Sequence, residues 1–515
     1  MFYRIGLAFF LISAFFLVRA QDTTYLRYSL TITKEELSAH VYKLASEEFS
    51  GRYTGSKGEY EAGKYILEEF AEDGLQAPVI NGKVTYRQVF ALDNCRWKDQ
   101  RLMVNGGELK VGRDFLFLSD PVDIKGNFPV IFAGFGIEDK AYSDFSGLDV
   151  KGKILLVFSG EPRDKKGRSV ITGKEEQSKK GYYFSKAALA TAKGAAGVII
   201  IARKDSDFRD FLKNRDQYET EPNISYPEPG EEDVTKKEVF SAFVDLKTAA
   251  MLVGEKPAVL SAAMAEMESS LATSAGRFAG RVEIDASSDC VALPTANIVA
   301  IVEGSEKKHE AVVVVAHYDH LGEFAGDIYY GADDNASGTA AVMELAEAFS
   351  RAAAEGVRPK RTVVFLAVSA EELGLYGSRH YTDHPLIPLD STVACINIDM
   401  IGRSSEKQVT SDYISGYVYR SPELYALTQH AHRLAAPGLL DRMELRQSVR
   451  GGSDHYYFAK HGIPSVFYFT GFHEDYHEPT DTPDKILYTR MEQIVRAIFA
   501  VTWKLANGEE KMDSE

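Results

Sequence analysis

The 515-residue sequence holds only three cysteines, Cys95, Cys290 and Cys395. That is too few to build a fold from disulfides, and an odd number leaves at least one thiol unpaired. Stability must come from a packed core. Basic residues are also short: 59 Lys and Arg against 75 Asp and Glu give a formal charge of -16. Such a field opposes a polyphosphate surface and excludes nucleic acid as the expected partner. Internal repeats and low-complexity tracts are missing, and so are long apolar runs. The one extended run, residues 5–18 after Arg4, falls short of the ~20 residues that cross a bilayer. It ends in Val18-Arg19-Ala20 before Gln21 and reads as an export signal over residues 1–20, which predicts a secreted or periplasmic protein with no membrane segment once the signal is removed. No cysteine lies near the cleavage position, against a lipid anchor.

What is present is an ordinary folding composition, 45% hydrophobic and 26% charged. The length allows three to four domain-sized units, or one large domain with an insertion. Residues 59–71 carry Ala62, Ile66 and Phe70 at helical spacing, with Gly74 as a stop. From about residue 95 to 275 short β-rich runs (129–132, 153–158, 198–202) alternate with Gly, Asp and Lys clusters and one helical stretch at 186–193, which reads as a separate, mostly β module. After about residue 280 strands alternate with helices. The runs 311–316, 362–368, 393–398 and 463–469 have no polar alternation, so they predict an α/β fold whose mostly parallel sheet is covered by helices on both faces. Cys395, inside one of these runs, is expected to be a small buried hydrophobe.

In such sheets ligands sit beyond the carboxyl ends of the strands. The first strand ends in His317-Tyr318-Asp319-His320, followed by the loop Gly331-Ala332-Asp333-Asp334-Asn335-Ala336-Ser337-Gly338. The next ends in Glu371-Glu372, the third in Asp399-Met400, and the last leads to His473 and His477-Glu478. Singly, each group has an ordinary use in capping a helix or lying on the surface. Together, so many carboxylates at one sheet edge are electrostatically costly unless cations bind there, and mixed imidazole and carboxylate ligands suit zinc.

At these residues the chain resembles the zinc-dependent aminopeptidases with two co-catalytic metals, relatives of glutamate carboxypeptidase, the transferrin receptor and glutaminyl cyclase. His317-x-Asp319, the 331–338 loop, Glu371-Glu372-x-Gly374, Asp399-Met400 and His477-x-x-x-Asp481-Thr482 follow the family order, and Gly51-Arg52-Tyr53-Thr54-Gly55-Ser56 is similar to its N-terminal stretch. The resemblance implies two zinc ions per chain. Asp334 would bridge them and lie in a cis bond to Asn335; His317 and Asp399 would complete one site, Glu372 and His477 the other. Asp319 would hold His317 by its second ring nitrogen. Glu371, beside a ligand but not one, would be the general base as a metal-bound water attacks the peptide. His320, His473 and His455 receive no metal. The expected activity is a zinc-dependent metallopeptidase: a hydrolase of the exopeptidase class and most simply an aminopeptidase acting on peptide substrates. A carboxypeptidase or dipeptidase of the same fold, a glutaminyl cyclase and a non-catalytic receptor-like binding protein are the rivals, and the complete ligand set speaks against the last two.

With the signal peptide at 1–20 and a charged tail at 509–515, the resemblance completes the expected domain plan: peptidase segments at 21–95 and 276–508 and an inserted protease-associated domain at 96–275. The insert is similar to protease-associated domains at residues 132–137, 148–154 and 193–199. It would either overhang the active-site cleft as a lid or act as a spacer. Cys95 and Cys290 lie at its two hinges, so export permits a bond between them; three free thiols are the alternative. Ser453-Asp454-His455 matches the family, but the positions before it hold Arg450, Gly451 and Gly452 where relatives place a tyrosine to support the oxyanion. Arg450 is therefore a candidate for the oxyanion or for a substrate carboxylate, or else a surface arginine. Ser453, Asp454, His455, Tyr456 and Tyr457 are the other candidates. The oligomeric state is not legible.

Overall fold

The computed structural model describes residues 24–213, 223–227, 239–270, 272–405, 413–449, 451–509 and 512. The export signal, Arg450 and most of the tail lie outside the described residues. The chain divides into two units, one formed by residues up to Phe90 and from Pro294 onward, the other by Ala91–Leu293. The changes of unit fall within the long strands Arg87–Val104 and Ala279–Val302, away from 95/96 and 275/276, because the strands run on without a local break.

The first unit is built on the apolar runs. Its strand order is Leu440–Arg446, Tyr413–Tyr419, Ser465–Tyr468, Thr392–Ile398, Lys307–His317, Arg361–Val368 and then residues 298–302. The four strands from Ser465–Tyr468 to Arg361–Val368 are mutually parallel, while antiparallel pairings flank them on both sides. Val312, Val314 and Ala316 face a core shared with the helices Lys34–Leu44, Lys57–Glu72, Gly338–Ala354 and Tyr488–Asn507. Val313 and Val315 face the opposite core with Tyr381 and Phe458. Burial on both faces explains the absence of alternation, and each such side chain contributes about 1.5–3 kcal/mol. Since the central strands are parallel, His317, the 369–372 turn, Asp399 and the segment after Tyr468 all emerge at one edge.

The second unit is more helical than its sequence suggests. Parallel strands Phe240–Val244, Gly197–Ile201, Ile154–Phe158 and Ile124–Phe132 are closed by antiparallel neighbours, Phe115–Phe117 and residues 279–286. The helices Tyr183–Ala192, Asp205–Lys213, Leu246–Leu252 and Pro257–Ser270 accompany them. Pro257–Ser270 is rich in alanine and shows little amphipathic contrast, which hides it from a periodicity reading. Cys95 and Cys290 are disulfide-bonded within this unit. Cys395 is free and buried. Among the described residues no helix is long and apolar enough to cross a membrane.

Candidate metal centre

Gly331 lets the chain turn from Tyr330 into the 332–337 loop. It adopts φ 56°, and a Cβ there would stand 2.1 Å from the Asp334 carbonyl oxygen, so only glycine fits. The Asp334-Asn335 bond is cis. Asn335 fastens the loop to the end of Thr392–Ile398: its Nδ2 donates to the Ile398 carbonyl at 2.9 Å, and its Oδ1 accepts from the Gly338 and Met400 N–H groups. Asp334 is thereby aimed over the sheet edge.

Its two oxygens face different partners. Oδ1 lies 3.4 Å from His317 Nε2, and Oδ2 lies 3.1 Å from His477 Nε2. His317 Nε2 is also 3.5 Å from Asp399 Oδ1 and 3.9 Å from Glu371 Oε2. His477 Nε2 is 3.2 Å from Glu372 Oε2. One atom each of His317, Glu371 and Asp399 lies within 4.8 Å of the other two, as do atoms of His317, Asp334 and Glu372. His317, Asp334, Glu371, Glu372, Asp399 and His477 are therefore brought together.

The local charges are those of a site built for cations. Burial lowers the His317 imidazole, but Glu371, Asp399 and Asp334 overcome it and raise its pKa well above the ordinary value. His477 is likewise pushed up to about 10 by Asp334 and Glu372, against burial. Burial raises Glu371 well above the usual carboxylate range, with Glu372, Asp454 and Asp399 adding to it against His317. Burial also raises Asp334, yet the facing imidazoles of His317 and His477 prevail and hold it far below that range. Buried Asp399 Oδ1 and His477 Nε2 make no hydrogen bond. Atoms left this way fit ligation by an ion, and nitrogen with carboxylate oxygen is a donor set that zinc accepts.

The Nδ1 atom of His317 lies 3.2 Å from the main-chain oxygen of Asp319 and 3.7 Å from its carboxylate. That carboxylate accepts from Thr54 Oγ1 at 3.1 Å and from the N–H groups of Glu371 and Glu372. Asp319 thus braces the Glu371-Glu372 turn as well as the imidazole. Ser453, Asp454 and His455 are fully buried and offer no surface to a substrate. The Ser453 hydroxyl donates to Asp399 Oδ2 at 2.7 Å and accepts from Asn397 Nδ2 at 2.6 Å. His455 is stacked between Tyr419 and Phe467. Tyr456 and Tyr457 are partly exposed. His320 Nδ1 lies 2.8 Å from Glu372 Oε1, and His473 Nε2 lies 3.2 Å from Asp333 Oδ2.

Two further supports brace the site through backbone groups. Asp481 Oδ2 accepts the N–H groups of both Asp333 and Asp334. Arg52, fully buried, donates to the carbonyls of Leu44, Tyr318, Tyr330 and Gly331, tying the N-terminal stretch to both loops of the site. Both residues stand in the recognised motifs, but their partners are backbone groups, which no residue pattern displays.

The fold resembles that of an aminopeptidase from Aneurinibacillus sp. strain AM-1, with a TM-score of 0.56, 18% identity, and coverage of 95% of this chain and 98% of that one. In sequence, Aminopeptidase YwaD of Bacillus subtilis is 29% identical over 78% of this chain and 72% of its own length. A protein of Arabidopsis thaliana named Probable glutamate carboxypeptidase AMP1 is 25% identical over 84% of this chain and 62% of its own length. Residues 297–502, which carry all six residues of the cluster, match the model of Peptidase family M28. Through that segment, the chain is similar to peptidase family M28.

Proposed function

We propose that this chain is an exported zinc-dependent aminopeptidase that holds two zinc ions and hydrolyses the N-terminal bond of peptides. The observation that carries the reading is the division of Asp334, one oxygen toward His317 and the other toward His477. This is the posture of a carboxylate shared by two ions: His317 and Asp399 would serve one, Glu372 and His477 the other. When bound, such a pair polarises the scissile carbonyl and acidifies water.

The chain's own groups do the rest. Glu371 stands beside the cluster without an imidazole as close as those of Glu372 and Asp334, so its carboxylate takes the proton from the attacking water and passes it to the leaving amine. Asp319 fixes the His317 ring, and Ser453 holds Asp399. The name of the Bacillus subtilis relative supports aminopeptidase over carboxypeptidase. The second unit contributes none of these residues, in keeping with a protease-associated module that carries no catalytic group.

Paired free and N-acetylated peptides, assayed with and without a chelator, test this. Free peptides should be cleaved, acetylated ones spared, and chelation should abolish the activity. Equal cleavage of both forms would overturn the aminopeptidase reading in favour of a carboxypeptidase or dipeptidase.

A further inference from the structure

A second cluster of acids lies where the helices Lys34–Leu44 and Gly338–Ala354 pack together. Glu36 and His40 are one turn apart on the first helix, and Glu344 and Glu347 are three residues apart on the second, so each pair shares a helix face. One carboxylate oxygen from each of Glu36, Glu344 and Glu347 lies within 4.8 Å of the others. Alone, such acids are common at a surface. Glu344 is different. It is 1% exposed, and neither of its oxygens accepts a hydrogen bond.

The nearest cation-capable group is His40, whose Nε2 lies 3.3 Å from Glu344 Oε1. Its Nδ1 is 2.6 Å from the Tyr65 hydroxyl, a contact that orients the ring toward the cluster. Apart from Arg351, which is paired to Glu347, the surroundings are rich in acids. Asp73 is pushed up to about 7, first by burial and then by Glu347 and Glu69. Glu347 Oε1 is paired to Arg351, but Glu344, a buried carboxylate without hydrogen bonds, faces among the described residues only two more carboxylates and an imidazole nitrogen.

We propose that Glu36, His40, Glu344 and Glu347 bind one divalent cation of the zinc or manganese class, at a site separate from the His317 and Asp334 centre. The imidazole favours these ions over calcium or magnesium, which take all-oxygen cages. Tetrahedral ligands at the roughly 2.2 Å zinc–oxygen distance stand about 3.6 Å apart, so the oxygens, now within 4.8 Å of one another, need to draw in by about an ångström. Glu36 is exposed and gives the ion a route from solvent. Both helices touch the 332–337 loop, so the ion would clamp the two helices that contact the loop carrying Asp334.

The test uses the full chain, stripped with a chelator and dialysed to equilibrium against Zn2+. Zinc per chain is measured for the parent, for the double variant Glu36→Gln/His40→Gln, and independently for Glu344→Gln, with circular dichroism verifying the fold. The parent should hold one zinc ion more than the double variant, and zinc should raise its melting temperature by more. Because the readout is a difference, it stands whatever number the His317 and Asp334 centre binds. Equal zinc counts in parent and double variant would overturn the site. The double variant alters groups at the partly open side of the cluster, so it decides the matter even if Glu344→Gln does not fold.

Discussion

One carboxylate oxygen of Asp481 accepts the backbone N–H of Asp334 at 3.1 Å, and that of Asp333 at 2.9 Å. The side chain that faces both histidines is therefore positioned through its own peptide bond by a residue far along the sequence. Replacing Asp481 with alanine leaves two buried donors unpaired, at about 1–3 kcal/mol each. Asp481→Ala should lower the melting temperature and weaken zinc affinity roughly 10–100-fold, as loss of an outer support does. Calorimetry and metal titration check the two effects separately.

Glu371→Gln should keep the fold and the bound zinc but reduce turnover at least about a hundredfold, the size usual for removing a positioned base. Turnover on a free peptide, with zinc measured on the same sample, decides it. Near-normal turnover would return Glu371 to a charge on a turn.

Asp334→Ala should strip both catalytic metals together, since each of its oxygens faces a different histidine. Retention of two zinc ions at the centre would show that Asp334 is not shared.

The strand ends were legible because the runs at 311–316, 362–368 and 393–398 are unbroken, and unbroken runs belong to strands buried on both faces. Leu440–Arg446 was not, since most of it is open to solvent and its Leu-Asp-Arg-Met-Glu-Leu-Arg order carries no clear period. The helix Lys34–Leu44 carries a start signal in Thr33, whose hydroxyl accepts from the Glu36 N–H, but apolar spacing alone does not reveal it. The metal cluster was readable as residues, whereas its bracing was not: Arg52 and Asp481 act on backbone groups, and Ser453 proved to hold Asp399 from a buried position closed to substrate.

Arg52→Lys should destabilise the first unit by several times the roughly 1 kcal/mol of an ordinary hydrogen bond, because a single ammonium cannot reach four carbonyls that the guanidinium serves at once. Denaturant unfolding of the variant measures this. A loss under 1 kcal/mol would mean that the loops hold themselves.

Thiol counting on the denatured, unreduced chain should give one free group, Cys395, and three after reduction. Three before reduction would show the bond between Cys95 and Cys290 to be absent.

That bond has a further consequence should the chain be cut by a protease. Cys95 and Cys290 are 195 positions apart, so a cut anywhere between them opens the chain without releasing a piece. A nicked molecule would migrate as one species on a gel until a reductant is added, then fall into two fragments. Damage to the inserted segment would in this way leave the segments that carry His317 and Arg52 covalently joined.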